Sequence, residues 1–331
     1  MGEMPEMLKR QMQKQGYHFV GGHEHSAVKT CEYTKKGIKG ETLCYKHEFY
    51  GIRSWQCLQA TPAIGCDLAC RFCWRIMPDE HGVKWNELNA VDKWDEPSDL
   101  VDSMIAEQKK LVSGFKAVAD SELKKKRFEE ANTPLHATLS LTGEPLFYPY
   151  MSELLQEFHK RHMSTFLVHN GTLPEAIEKL KVMPTQFYIS VQAPDEETYI
   201  KVTRPKIPDA WQRFLKALDL MRQMPTRTVL RLTLVKGLNM INPEGYAALI
   251  KRAMPNYVEV KGFSFVGGAR EPQRGLHYED MPLHSEIKEF ANKLAALSGY
   301  LVTAEHEESR VVLLCRDEES QKNRIIDFSK L

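Results

Sequence analysis

The stretch CDLACRFC, residues 66–73, is the part of this sequence that decides its fold. It places three cysteines, Cys66, Cys70 and Cys73, in the spacing C-x3-C-x2-C. A four-iron cluster takes four ligands, so a loop that offers three thiolates leaves one iron open to a small molecule. A zinc site is the alternative, but zinc sites more often pair two C-x2-C units, and the neighbouring sequence supplies no second unit. The spacing therefore favours an iron–sulfur cluster with one open position.

This cysteine pattern, with Phe72 directly before the last cysteine, resembles that of the radical S-adenosylmethionine (SAM) superfamily. The resemblance implies that Cys66, Cys70 and Cys73 bind a [4Fe-4S] cluster whose open iron takes the amino and carboxylate groups of SAM. An electron from the cluster then cleaves SAM to a 5′-deoxyadenosyl radical, which abstracts hydrogen from a substrate. Such an enzyme needs a reductant, which the sequence does not identify.

Three more cysteines, Cys31, Cys44 and Cys57, lie upstream in the even spacing C-x12-C-x12-C. Six of the seven cysteines thus lie between residues 31 and 73, a clustering that is not expected of unrelated free thiols. We expect the upstream three to bind a second [4Fe-4S] cluster. Disulfides are disfavoured, because the chain opens with MGEMPE rather than an apolar signal segment, which predicts a reducing, cytoplasmic location. Cys315 lies in an apolar run and is expected to be a buried core thiol.

A more specific resemblance begins at Cys44. The segment CYKHEFYGI, residues 44–52, is similar to the C-Y-K-x-x-F-Y-G-I signature of the 4-demethylwyosine synthases. Shorter similarities follow in that family's order over about residues 17 to 315, namely CWR at 73–75, SLTGEP at 140–145, RLTLVKG at 231–237 and VEVKG at 258–262. The resemblance implies a radical SAM enzyme of tRNA wybutosine biosynthesis, a carbon–carbon lyase or synthase.

The family resemblance also implies the substrates and a role for Lys46. The adenosyl radical would take hydrogen from the methyl group of N1-methylguanosine in tRNA-Phe, and the carbon radical would attack pyruvate to give 4-demethylwyosine. Lys46 would form a Schiff base with pyruvate, which requires a neutral amine and therefore a pKa lowered by burial or nearby positive charge. Three other interpretations stay open: an ordinary surface lysine, an anchor for the pyruvate carboxylate, and pyruvate bound to the free iron of the second cluster.

Two other classes of function are compatible with the residues alone. One is another radical SAM enzyme with an auxiliary cluster that acts on a peptide or a small molecule, and binding of anticodon stem-loop RNA would distinguish it. The other is a non-enzymatic iron–sulfur electron-transfer protein, which a spectroscopic change on adding SAM would exclude.

Residues at the ends of three of the predicted strands, or just after them, are candidates for contacts with SAM. The candidates are Gly143, Glu144, Pro145, Asn170 and Ser190. The first three resemble the glycine–glutamate motif that meets the SAM amino group, since glycine lets the backbone approach closely and a carboxylate accepts from an ammonium. Asn170 and Ser190 can equally cap loops. The pattern S-x-D-A-P of the superfamily has Gln192 in place of the aspartate, so this position can bond hydroxyls but carries no charge.

Apolar and β-branched runs alternate with helical patterns along the chain. Strands are predicted at 59–64, 135–141, 165–169, 187–191, 228–235 and 258–265, with helices between them, one of them with Thr172 as its N-cap. Such alternation predicts a parallel sheet with right-handed crossovers. We expect an α/β fold, a partial (β/α)6 TIM-like radical SAM barrel, with the Cys66 loop at the carboxyl end of its first strand.

Three regions are expected around this barrel. Residues 1–57 would form an N-terminal extension that carries the second cluster ligands, residues 58–281 the barrel, and residues 282–331 a C-terminal α/β extension. Residues 79–98 are polar and are predicted to be a long loop.

Composition sets broad limits on the partners of the 331-residue chain. A hydrophobic content of 42% is ample for a core, and the net charge of +1 does not itself indicate a nucleic-acid partner. Two local basic runs, Lys35, Lys36 and Lys39 and then residues 124–127, can either contact RNA phosphates or form solvated faces. No apolar stretch approaches the roughly 20 residues of a transmembrane helix, so we expect no membrane partner.

Overall fold

A ten-stranded sheet forms the centre of the molecule in this computed structural model, which describes residues 5–89, 91 and 93–330. Its strands are β1 (His18–Val20), β2 (Ser26–Val28), β3 (Cys57–Thr61), β4 (His136–Leu139), β5 (Ser164–His169), β6 (Gln186–Val191), β7 (Arg227–Leu234), β8 (Tyr257–Gly262), β9 (Leu301–His306) and β10 (Val311–Cys315). Strands β3 to β8 pair in parallel in sequence order. The order β1-β2-β3-β4-β5-β6-β7-β8-β10-β9 leaves β1 and β9 at the edges, so the barrel is open.

Helices connect these strands, and several of them cover the outer face of the sheet. They are α1 (Glu6–Lys14), α2 (Glu32–Ile38), α3 (Tyr45–Tyr50), α4 (Trp85–Asn89), α5 (Pro97–Ser113), α6 (Glu122–Ala131), α7 (Met151–Lys160), α8 (Pro174–Glu178), α9 (Glu196–Thr203), α10 (Ala210–Met221), α11 (Pro243–Ala253), α12 (His284–Ser298) and α13 (Glu318–Lys322). In α5, proline stands in the first turn, where its missing N–H costs nothing, and Leu100, Met104 and Gln108 recur on the buried face.

The two faces of the sheet have different partners because strand side chains alternate. Leu167 and Ile189 point outward into the main core under the helices. Their neighbours Phe166 and Tyr188 point inward and pack with α3, whose Phe49 is fully buried. The short helix that follows Cys44 thus fills the inner side of the barrel.

The α/β class and the partial barrel predicted from the sequence are confirmed, and each of the predicted barrel strands is present within a few residues of its expected bounds. Two local expectations were wrong. The segment predicted as a long loop contains a 3-10 turn at Pro78–His81 and α4, although its residues 90 and 92 lie outside the described part. Helix α8 has Leu173 as its N-cap, because the hydroxyl of Thr172 donates to Asn170 Oδ1 at 2.6 Å instead.

The pairing of β1 and β2 with β3, and of β10 with β8, makes both ends of the chain part of the same sheet. The predicted boundaries between the N-terminal extension, the barrel and the C-terminal extension, at residues 57 and 281, therefore stay predictions. Residues 1–4 and 331, which belong to the two extensions, lie outside the described part. Within residues 5–330 as described, none of the helices combines the length and the apolar character that crossing a bilayer requires.

Candidate active site

The loop of Cys66, Cys70 and Cys73 follows β3 at the carboxyl edge of the parallel strands. All three cysteines are partly buried, and they line one cavity. The cavity is also lined by the candidates Gly143, Glu144, Asn170 and Ser190 and by Gln192. Residues far apart in the sequence meet here because the carboxyl ends of parallel strands share one edge of a sheet.

Three arginines fix the backbone of the cysteine loop. Arg204 donates to the carbonyl of Ala69 at 2.9 Å, and Arg71 donates to those of Arg274 and Gly275 at 2.8 and 2.9 Å. Arg274 is fully buried and donates to the carbonyl of Cys73. Sequence reasoning missed Arg274, since it lies in a 3-10 turn, Pro272–Arg274, that is too short for a periodic pattern to mark.

Glu144 and Asn170 connect the ends of β4 and β5. The backbone N–H of Asn170 donates to Glu144 Oε2 at 2.7 Å, and the N–H of Leu146 donates to Oε1 at 3.0 Å. Burial raises the pKa of Glu144 to about 8, while these two hydrogen bonds act in the opposite direction. A buried carboxylate with this pKa gains from the arrival of an ammonium group, which is what the amino group of SAM offers.

Asn170 itself is largely committed to internal hydrogen bonds. Its Nδ2 donates to Asp67 Oδ1 at 2.9 Å and lies 3.8 Å from Cys66 Sγ, and its Oδ1 accepts from Thr172. The side chain therefore orients the cysteine loop as well as lining the cavity. Pro145 starts a 3-10 turn and is buried next to Glu144.

Gly143 is required by a close approach of two loops. Its φ is +69°, and a Cβ at this position would lie 2.3 Å from the carbonyl oxygen of Ala63 and 2.5 Å from that of Ile64. Any larger residue would push the β3 and β4 loops apart, and with them the cysteines and Glu144.

Two of the side chains that line the cavity have buried polar atoms without a hydrogen-bond partner among the described residues. Gln192 Oε1 and His169 Nε2 line it, and neither has a hydrogen-bond partner within the described part of the chain. Burial lowers the pKa of His169 to about 3, so the ring is neutral. Buried unpaired atoms of this kind are uncommon in native proteins, and hydroxyl or amino groups of a SAM molecule would satisfy them.

The cysteines of this loop also suit an iron–sulfur cluster. Burial raises the pKa of the Cys66 and Cys70 thiols, since an apolar site disfavours thiolates. Binding to positively charged iron would supply the charge that makes them ligands. Among the described residues, no three Cys, His, Asp or Glu side chains are arranged around a single metal ion.

The second triad lies at the amino end of the barrel interior. Cys31 and Cys44 directly precede α2 and α3, and Cys57 begins β3. Burial, followed by the charge of Cys31, raises the pKa of Cys44 to about 12 and that of Cys57 to about 11. The cysteines of both triads are free thiols. The three thiols are partly buried and near enough to influence one another's pKa, and three thiols are a donor set that suits a cluster.

Lys46 lies on α3 beside this second triad. Its side chain is buried, with Nζ 4.9 Å from the ring centroid of Phe166 and 4.8 Å from that of Tyr188. Burial lowers the pKa of Lys46 and the charge of Arg231 lowers it further, while Glu259 acts in the opposite direction. Lys46 is therefore not a surface lysine, and its amine loses its proton more readily than that of an exposed lysine.

Next to Lys46, a buried carboxylate gathers several hydrogen bonds. Glu259 accepts from the hydroxyls of Tyr45 and Tyr50, both at 2.9 Å, and from that of Tyr188 at 3.1 Å. Arg231 Nε donates to it at 2.7 Å. Sequence reasoning missed this network, although charged residues such as Arg231 and Glu259 inside largely apolar strands were a signal for it.

Comparison with known proteins agrees with this geometry. A family model described as the radical SAM superfamily matches residues 61–250, and one described as wyosine base formation matches residues 252–316. Together with the open parallel barrel and its three-cysteine loop, these matches define a radical SAM enzyme.

Individual relatives identify the family. The S-adenosyl-L-methionine-dependent tRNA 4-demethylwyosine synthase of Pyrococcus horikoshii is 47% identical over 320 residues, 95% of this chain and 90% of that protein. The Oryza sativa enzyme of the same name is 41% identical over 94% of this chain and 46% of its own length. A solved structure of TYW1 with a lysine–pyruvate adduct bound is 34% identical with a TM-score of 0.83, over 98% of this chain and 99% of that one. This chain belongs to the tRNA 4-demethylwyosine synthase family.

Proposed function

We propose that this chain condenses carbons derived from pyruvate with N1-methylguanosine in tRNA-Phe to form 4-demethylwyosine. The observation that carries the proposal is the position of Lys46, a buried amine beside the second cysteine triad, in a chain of this family. The similar solved structure of TYW1, which has a lysine–pyruvate adduct bound, supports pyruvate as the substrate.

The SAM end of the site is the Cys66 loop. Cys66, Cys70 and Cys73 would bind a [4Fe-4S] cluster, which with SAM supplies a radical that abstracts hydrogen. Glu144 would accept from the SAM ammonium, and Gln192 Oε1 would accept from a hydroxyl. Ser190 offers a further polar group in the wall of the cavity, and Gly143 keeps the two loops close enough to hold one ligand.

The pyruvate end of the site is Lys46. The lone pair of its neutral amine would attack the carbonyl carbon of pyruvate, and the carbonyl oxygen would leave as water, so that a carbon–nitrogen double bond replaces the carbon–oxygen one. Burial lowers the pKa of this lysine, which favours the neutral amine, and the rings of Phe166 and Tyr188 shield it from water.

Cys31, Cys44 and Cys57 would bind a second [4Fe-4S] cluster next to Lys46. Three thiols again leave one iron open, so pyruvate binding to that iron is compatible with the imine rather than opposed to it. Both clusters would need reduced thiols and an electron donor, and these requirements support a reducing, cytoplasmic location.

The test is anaerobic reconstitution with iron and sulfide, followed by assay with SAM, pyruvate and tRNA-Phe that carries N1-methylguanosine. Nucleoside mass spectrometry should detect 4-demethylwyosine, and tRNA without the methyl group should give none. Lys46→Arg should give no product, because a guanidinium stays protonated and cannot attack. Lys216→Arg is the control, a half-exposed lysine that pairs with Glu178 at 2.9 Å on the outer helices. Product from Lys46→Arg at the wild-type rate would contradict the imine.

A further inference from the structure

Positive charge accumulates on the inner face of the sheet near Lys46. Arg231 on β7 lies in register with Glu259 on β8, and Lys261 lies two residues further along β8. Lys261 Nζ is committed to the carbonyl oxygen of Ser309 at 2.5 Å. Arg231, in contrast, has a buried guanidinium nitrogen without a hydrogen-bond partner among the residues described.

Arg231 is held from one side only. Its Nε donates to Glu259 Oε2 at 2.7 Å, while its Nη2 is buried and has no hydrogen-bond partner among the residues described. Glu259 cannot supply that partner as it stands, because Tyr50 and Tyr188 occupy its other oxygen. A buried donor without an acceptor is costly, so a working complex is expected to place an acceptor there.

Another arginine of the same strand shows what a purely structural role requires. Arg227 lies four residues earlier on β7 and also stacks on a tyrosine, with its guanidinium 4.9 Å from the ring of Tyr257. Its Nη1 and Nη2 donate to the carbonyl oxygens of Asn323 and Arg324, both at 2.5 Å. Both Nη atoms of Arg227 therefore have acceptors, whereas Nη2 of Arg231 has none among the residues described.

The position of Arg231 links the two ends of the active site. Its guanidinium lies 4.7 Å from the ring centroid of Tyr188, the ring that Lys46 Nζ approaches to 4.8 Å. On the adjacent strand Arg231 is in register with Ser190, which lines the cavity of the Cys66 loop. An anion bound at Arg231 would thus lie between the lysine and the SAM cavity.

We propose that Arg231 binds the carboxylate of the 2-keto acid whose carbonyl carbon reacts with Lys46, an inference that rests on the imine of the proposed function. A planar guanidinium matches a carboxylate in shape and charge. Held this way, the keto acid presents a fixed face to both Lys46 and the SAM cavity. Arg231 would also make the site selective for a keto acid over an uncharged ketone.

The experiment measures how the imine forms as the keto acid concentration rises. Reconstituted enzyme is incubated anaerobically with pyruvate and cyanoborohydride, and the reduced adduct on Lys46 is quantified by peptide mass spectrometry. Arg231→Lys should raise the half-saturating pyruvate concentration about 10-fold and Arg231→Met about 100-fold, the range expected for charge-assisted hydrogen bonds. Arg227→Lys is the matched control and should leave that concentration unchanged.

The uncharged analogue pyruvamide separates recognition of the carboxylate from loss of structure. Wild type should need about 10- to 100-fold more pyruvamide than pyruvate, and this preference should collapse in Arg231→Met. The iron content of each variant reports whether it folds. No adduct in the wild type would overturn the imine and this inference with it. An adduct in the wild type with the same half-saturation and the same preference in the Arg231 variants would overturn the role of Arg231 alone.

Discussion

Arg274 and Glu80 form a buried ion pair with two hydrogen bonds, from Nε at 2.8 Å and from Nη2 at 2.7 Å. The same guanidinium donates to the carbonyl oxygens of Cys73 and Arg75. One side chain from a distant part of the chain therefore fixes the end of the loop that carries the first cysteine triad.

Loss of this arginine should loosen the loop. Arg274→Met leaves the carboxylate of Glu80 unpaired at 12% exposure, which is expected to cost about 3–5 kcal/mol of unfolding free energy. Arg252→Met removes a surface pair with Asp219 in which both partners are more than 40% exposed, and should cost at most about 1 kcal/mol. Denaturant unfolding measures both, and equal losses would contradict a clamping role for Arg274.

A second prediction separates steric clash from backbone strain at Gly143. Gly237 has nearly the same φ, +67° against +69°, but a Cβ there would meet nothing within 4 Å. Gly237→Ala should therefore cost only the strain of a left-handed residue, about 1–2 kcal/mol. Gly143→Ala adds the clash with Ala63 and Ile64, so it should destabilise the fold more and weaken SAM binding measured by calorimetry. SAM affinity at the wild-type level would show that the two loops can separate freely.

Iron content tests the second cluster. The wild type should hold about eight irons per chain if both clusters are of the four-iron type. Replacing Cys31, Cys44 and Cys57 together by alanine should lower this to about four and abolish product, while a spectroscopic response to SAM survives in part.

The seventh cysteine is the control for that experiment. Cys315→Ala removes a thiol that is also buried, on β10, and should leave the iron content unchanged. Full iron content in the triple variant would show that these three residues do not bind a cluster.

The sequence predicted those parts of the site that depend on local spacing. The thiols of a triad must lie within one loop or at the starts of neighbouring elements, so Cys66, Cys70 and Cys73 were visible as a pattern. The strands were visible as apolar runs, because a strand of a parallel sheet is buried on both faces. Cys315 is fully buried as expected.

The parts that depend on long-range packing were not predictable from spacing. Arg231 and Glu259 meet only because β7 and β8 pair in one register, and Arg274 reaches the cysteine loop from a segment with no periodic signal. The helix α4 was missed because a five-residue helix is too short for a periodicity test. Thr172 was expected to cap α8, but its hydroxyl instead forms a local hydrogen bond to Asn170, which the spacing does not reveal.

The two basic runs of the sequence lie on helices that pack against each other, so they belong to one face of the protein. Helix α2, which carries Lys35 and Lys36, packs against α6, where Arg127 donates to the carbonyl oxygen of Gly37 at 3.0 Å. Part of their charge is used internally, since Lys36 pairs with Glu308 at 2.6 Å and Lys124 with Asp120 at 2.8 Å. Lys39 at the end of α2 is exposed.

These contacts sharpen the prediction for RNA binding. Helix α2 begins directly after Cys31, so RNA bound along it would lie near the second triad and Lys46. Affinity should fall with salt, with a log–log slope of about −0.7 to −0.9 for each phosphate that a lysine contacts. Lys35→Gln with Lys39→Gln should reduce the magnitude of that slope by about 1 to 2 units. Lys216→Gln, which removes a half-exposed lysine paired with Glu178 on the outer helices, should not change it. A slope that stays the same in the double variant would place the RNA on another face of the protein.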